Sequence, residues 1–96
     1  MKRPCAYILA SQRNGTLYVG VTSDLSRRLS EHKADATDGF TKRYSVHRLI
    51  YLELHDIMID AIQREKHIKK WRRAWKLELI ETSNPQWAAL YDKLMV

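Results

Sequence analysis

Asn14-Gly15 stands between two apolar runs, Ala6 to Ala10 and Leu17 to Val21. In that setting the dipeptide is the strongest short hairpin signal a sequence offers, and it commits the chain to an antiparallel sheet. With Asn14 and Gly15 as a two-residue turn, Arg13 pairs with Thr16, Ser11 with Tyr18, Leu9 with Gly20 and Tyr7 with Thr22. One face then gathers Ala6, Ile8, Ala10, Leu17, Val19 and Val21. The other gathers Tyr7, Leu9, Ser11, Tyr18, Gly20 and Thr22, so both tyrosines share a face.

The remaining pattern alternates a helix, a strand and more helices. Asp24 is a suitable N-cap for a helix from Leu25 to Lys33. The polar stretch from Ala34 to Ser45 contains Gly39 and reads as a loop. Val46 to Leu54, rich in β-branched and aromatic residues, predicts a third strand. A long helix is expected from Ile57 to Arg73 and, after a bend, a second from Ala74 to Thr82. Asn84-Pro85 marks a turn, followed by a short helix from Gln86 to Leu94. The expected architecture is α+β, a small antiparallel sheet flanked by helices, in the order β-β-α-β-α-α-α.

Ninety-six residues suffice for one modest core, so residues 1–96 are expected to form one domain. The 45% apolar content argues against disorder. No apolar run approaches the ~20 residues that span a bilayer, and no signal-peptide pattern follows Met1, so a cytoplasmic protein is expected. The single Cys5 excludes an internal disulfide and a cysteine-based zinc site, and its apolar neighbours make it a core residue. A formal charge of +6 suits either a polyanionic partner, nucleic acid being the commonest, or simply a soluble surface.

Polar groups intrude where the helices should be apolar. Glu65 is the only acid between Arg64 and Lys76, and it shares a helical stripe with Ala61, Ile62, Ile68 and Arg72. A carboxylate facing inward must be neutralised, paired or bound to a metal. On the first helix Leu25, Arg28, Leu29 and His32 follow the i, i+3, i+4, i+7 spacing, which places Arg28 and His32 on the inward stripe. Taken singly, such an arginine snorkels outward and such a histidine packs. Together with two tyrosines on one sheet face, they suit phosphodiester cleavage. A carboxylate can hold one Mg²⁺ that keeps waters and takes phosphate oxygens. A guanidinium adds charge stabilisation, and a tyrosine or histidine can orient a water. Tyrosine at its ordinary pKa near ~10 is a poor base at neutral pH.

These residues resemble the GIY-YIG nuclease family. The second signature stands as Tyr18-Val19-Gly20, eleven residues after Tyr7, with Thr22, Asp24, Leu25, Arg28 and His32 behind it in the family's spacing. Glu65, within Arg64-Glu65-Lys66, sits where the family places its metal-binding glutamate. Asn84-Pro85-Gln86-Trp87 is similar to the segment carrying the family's late asparagine. The first signature departs: it reads Cys5-Ala6-Tyr7, its glycine and isoleucine replaced and its tyrosine kept. The likeness covers nearly the whole chain and is greatest to small single-domain bacterial members.

The resemblance implies a three-stranded antiparallel sheet flanked by helices, one divalent ion (Mg²⁺ or Mn²⁺) and hydrolysis of one DNA strand per site. It implies that Tyr7 and Tyr18 position or deprotonate the attacking water, and that Arg28 stabilises the phosphate. His32 would assist proton transfer or hold phosphate, Glu65 ligate the metal, and Asn84 brace the site.

DNA is the expected partner. Lys66, Lys69, Lys70, Arg72 and Arg73 would contact phosphates, as would Lys42 and Arg43 in the central loop, with Trp71 and Trp75 packing into the core. No sequence-reading module is visible, so selectivity should come from DNA structure or from a protein partner, in a setting of DNA repair or processing. The rival readings are a basic nucleic-acid-binding module that cuts poorly alone and an RNA-associated basic protein.

Overall fold

The computed structural model describes residues 2–33 and 46–90, and for His32 and Lys33 the backbone alone. Strand β1, Cys5–Ala10, is buried at every position. It is the central strand of an antiparallel sheet in the order β2-β1-β3, where β2 spans Leu17–Thr22 and β3 spans Arg48–Leu54. Helix α1 spans Leu25–Lys33, α2 Met58–Lys70 and α3 Arg73–Ser83. The fold is the expected α+β arrangement, in the order β-β-α-β-α-α.

Both faces of β1 are covered, which explains its unbroken apolar run. On one face Ile8, Ala10, Val19, Ile50 and Tyr51 pack with Ile68 of α2, Ile80 of α3 and Trp87. On the other, Cys5, Tyr7, Leu9 and Leu49 pack with Leu25 and Leu29 of α1 and with Val46. Cys5 is the buried core residue its surroundings require, and burial pushes its thiol up to about 11.

The hairpin is tied differently from a two-residue turn. Tyr7 pairs with Gly20, Leu9 with Tyr18 and Ala10 with Leu17. A loop closes at its base through the Ser11 amide and the Thr16 carbonyl, and Gly15 donates to the Gln12 carbonyl. Asn14 takes the left-handed conformation at φ 59°, which asparagine tolerates. The Ser11 hydroxyl accepts from the Thr16 amide at 3.0 Å and rewards this longer loop. The register therefore shifts by an even number of residues, and every side chain keeps its face.

The β1–β3 ladder is interrupted between Ile8 and Leu9, which pair with Tyr51 and Leu49, leaving Ile50 as the extra residue of a bulge. The Asn84 side chain donates to the Ile50 carbonyl at 2.9 Å, and the Leu90 amide to the Leu49 carbonyl at 2.9 Å. The segment after α3 thus runs along β3. Residues 86–90 are not helical as expected: Trp87 adopts φ 54° and its buried indole anchors the chain in the core. The rest of the expected final helix, and the loop expected at 34–45, lie outside the described residues.

Helix α2 ends earlier than expected, because Trp71 and Arg72 are extended at ψ 148° and 156°. The Trp71 ring packs against the core and carries the Arg64 guanidinium 5.2 Å from its centroid. Tertiary packing stops the helix where the sequence has neither glycine nor proline. Trp75, expected in the core, is 50% exposed instead.

Candidate active site

The two tyrosines come from neighbouring strands on the face covered by α1. Their ring centroids lie 6.4 Å apart, with the planes tilted by 39°. Gly20, opposite Tyr7, leaves the space the Tyr7 ring fills. Tyr7 is 1% exposed, whereas Tyr18 is only half-buried.

Asp24 starts α1 as an N-cap: its carboxylate accepts from the Arg27 amide at 3.4 Å and its carbonyl from the Arg28 amide at 3.1 Å. Its own amide donates to the Thr22 hydroxyl at 3.0 Å, which fixes the turn from β2 into the helix. This start sets Leu25 and Leu29 inward and brings the Arg28 guanidinium beside the Tyr7 phenol. Arg28 also faces Glu31 at 3.6 Å, and its side chain is 34% exposed. Thr22, Asp24, Arg27, Arg28 and Glu31 line a polar cleft of about 250 Å³.

Burial pushes the Tyr7 phenol up to about 12, and the Arg28 bond only partly opposes this. Tyr7 is therefore a neutral hydroxyl at physiological pH, with the Arg28 charge beside it. The Tyr7 oxygen in turn holds the guanidinium above its ordinary value, so its charge is constant.

Glu65 lies on α2, across the sheet from the tyrosines and over β1 and β2. Its side chain is 12% exposed, and its carboxylate is 3.4 Å from the half-exposed Lys69 amine. The described contacts join Tyr7, Tyr18 and Arg28, and give Glu65 Lys69 instead of any of those three. Among the described residues no three His, Cys, Asp or Glu side chains gather into a metal cage. The donor set fits one hard divalent ion held by a single carboxylate, with water and phosphate oxygens as its other ligands.

His32 lies one turn beyond Arg28 on α1, and its side chain falls outside the described residues. Lys42 and Arg43 also lie outside them. Asn84 is 8% exposed and spends its side chain on the backbone, donating to Ile50 and Ala88 and accepting from Ala88. Lys66, Lys69, Lys70, Arg72 and Arg73 are all exposed. Arg73 is committed to the hairpin, donating to the Asn14 and Gly15 carbonyls at 2.8 and 2.7 Å.

Two acids went unnoticed in the sequence. Glu31 stands three residues after Arg28, a spacing that signals pairing on a helix. Glu53 accepts from Tyr51 at 2.7 Å and from Arg64 at 2.9 Å, and bonds His55 at 2.7 Å. The alternation of Tyr51 and Glu53 on β3 with His55 just after it was the available signal. Burial would raise the Glu53 carboxyl, but these bonds outweigh it and hold the group below its usual range.

With the geometry in view, the comparison that decides the family is a match of residues 3–78 to the GIY-YIG catalytic domain. The chain belongs to the GIY-YIG family. A UPF0213 protein of Syntrophus aciditrophicus is 37% identical over 87 residues, covering 90% of this chain and 98% of its own. A UPF0213 protein of Staphylococcus saprophyticus is 34% identical over 68 residues, covering 71% and 83%. The solution NMR structure of a UPF0213 protein from Bacillus halodurans matches with a TM-score of 0.57 at 24% identity, over 88% of this chain and 89% of that one. That likeness bears on the fold alone. GIY-YIG is a nuclease-type family, and the tyrosine–arginine cluster lies within its matched span. Among the described residues, no helix is long and apolar enough to cross a membrane.

Proposed function

We propose that the chain is a divalent-metal-dependent endonuclease that hydrolyses phosphodiester bonds in DNA, without sequence reading and with selectivity for DNA structure. The observation that carries this reading is the cluster of Tyr7, Tyr18 and Arg28 on one sheet face, with the Arg28 guanidinium beside the Tyr7 phenol. A guanidinium held in place meets phosphate without further ordering, which is what stabilisation of developing charge requires. Tyr7 acts as a positioning residue for Arg28 and as a proton donor, since its raised pKa makes it a poor base. The half-buried Tyr18 is the phenol that reaches a water.

Glu65 would hold one Mg²⁺ or Mn²⁺, and the ion when bound would supply charge stabilisation at the phosphate. Because β2 is an edge strand, a phosphate lying beside it would have Arg28 and Tyr18 on one sheet face and Glu65 on the other. Lys66 and Lys70 would hold neighbouring phosphates in a salt-sensitive manner.

A second reading is favoured by the ion pairs: Arg28 faces Glu31 and Glu65 faces Lys69, so both site charges have partners within the chain. This suits a binding module that becomes active only when nucleic acid or a protein partner displaces them. Nicking of a supercoiled plasmid and of a branched duplex with Mg²⁺ or Mn²⁺ tests the first reading. Wild type should cut and Glu65→Ala should not. Equal cutting by both would refute the role given to Glu65, and binding without cutting by wild type would favour the module.

A further inference from the structure

On the sheet face opposite the tyrosines, a pocket of about 430 Å³ opens between the α2–α3 junction and β3. Tyr51, Trp71, Trp75, Glu78, Leu79 and Thr82 line it. Its volume falls in the ~300–1,000 Å³ range of small-molecule sites. Trp71 and Trp75 meet edge to face with centroids 6.3 Å apart, and Trp75 is 50% exposed. The cations are placed unusually: Arg64 lies 5.2 Å over the Trp71 ring and Arg72 lies 4.8 Å over the Trp75 ring. Lys70, next to Trp71 in the chain, is exposed.

We propose that this pocket receives an unpaired nucleobase of single-stranded DNA, while the strand's phosphates lie against Arg72 and Lys70 at its rim. Aromatic walls offer a base a stacking surface whatever its identity. The exposed Glu78 in the pocket's lining repels a phosphate, so the phosphates sort to the side of Arg72 and Lys70. An aromatic pocket with an acid also suits a quaternary ammonium ion, but two guanidinium groups already stand over the indoles and oppose a further cation. The choice of DNA rests on the proposed function, which it deepens: the preferred substrate carries unpaired nucleotides, as flaps, overhangs and branches do.

The test is binding in metal-free buffer, read by fluorescence polarisation of a short labelled oligodeoxynucleotide. The probes are the normal strand and the same strand with abasic residues, which keeps the phosphates and removes the bases. Abasic substitution should weaken binding roughly 5- to 100-fold, as should Trp75→Ala, and Trp75→Phe should recover most of the loss. Trp75 is half-exposed, so its replacement leaves the core intact. Equal affinity for the two strands would overturn the proposal, as would unchanged binding by Trp75→Ala, or quenching of tryptophan fluorescence by choline and not by the strand. A wild type that nicks DNA yet binds both strands equally would sink the pocket alone. A wild type that never nicks, but loses the strand on Trp75→Ala, would sink the nuclease reading and keep the pocket.

Discussion

Tyr7 and Gly20 face each other across β1 and β2, and the ring of the first occupies the volume that a side chain on the second would need. A Cβ at position 20 would stand 2.5 Å from the Tyr7 hydroxyl oxygen. Gly20 has no positive φ, so the glycine serves close packing and not backbone freedom. The tyrosine of the first signature and the glycine of the second are two halves of one contact.

Gly20→Ala must therefore move a ring that is 1% exposed. We predict a stability loss of about 1–3 kcal/mol, the usual cost of overpacking, together with at least tenfold slower cleavage as the Tyr7 hydroxyl leaves Arg28. Urea denaturation and the nicking assay read the two effects. A variant as stable and as active as wild type would contradict the packing account.

Tyr7 and Tyr51 are each pushed up to about 12, in both cases chiefly by burial. Their neutral forms are favoured by folding. The stability they contribute is complete below the unfolded value near ~10 and is lost as pH rises towards about 12. Phenolate absorbance should show late-titrating tyrosines, and Tyr7→Phe and Tyr51→Phe should each remove one. Late titration unchanged by both substitutions would count against this assignment.

Glu53 carries the opposite sign. Its carboxyl is held below the ordinary range, so its contribution is present above the unfolded value near ~4.3 and disappears as pH falls through the lower folded value. Glu53→Gln should cost about 1–3 kcal/mol at neutral pH, because Arg64 loses its charged acceptor, and almost nothing at an acid pH below the lowered folded value. Chemical denaturation at both pH values checks this. An equal deficit at both would show that charge is not the cause.

Glu65→Gln should change metal-free stability by less than about 1 kcal/mol, since the Lys69 amine that pairs with Glu65 is 53% exposed. Wild type should gain thermal stability with Mn²⁺, and the variant should not. The same Mn²⁺-induced shift in both proteins would place the ion elsewhere.

The basic surface divides by what each residue already holds. Lys66→Ala and Lys70→Ala should each lower the salt slope of DNA binding by roughly one, with stability unchanged. Arg73→Ala should instead cost about 1 kcal/mol of stability, because its guanidinium is spent on the Asn14 and Gly15 carbonyls. Titrations at several salt concentrations alongside melting curves separate the two classes, and unchanged salt slopes for both lysines would remove them from the interface.

Period and punctuation made most of the architecture legible. Asn14-Gly15 marks the hairpin but leaves the loop length open, because the Ser11 hydroxyl and the left-handed Asn14 close a longer loop that the dipeptide does not announce. The slip was even, so the tyrosines still shared a face. Leu25, Arg28 and Leu29 showed their stripe plainly, and Asp24 caps the helix as its chemistry suggests. The break at Trp71 was not legible, because an indole's tertiary packing ends α2 without any local breaker. Residues 86–90 misled for a related reason: a good cap at Asn84 is used to hold the β3 bulge and not to start a helix. Tyr7 and Arg28 were both candidates, but their approach depends on the register and the helix placement together.

The Arg73 clasp on Asn14 and Gly15 changes what the tip of the first hairpin can tolerate. Exposed turns are ordinarily where chains accept extra residues or a grafted peptide. Here the turn is a socket for a guanidinium 58 residues downstream, so lengthening it would release the start of the third helix from the hairpin. Tags and fusion partners belong at some other surface of this protein.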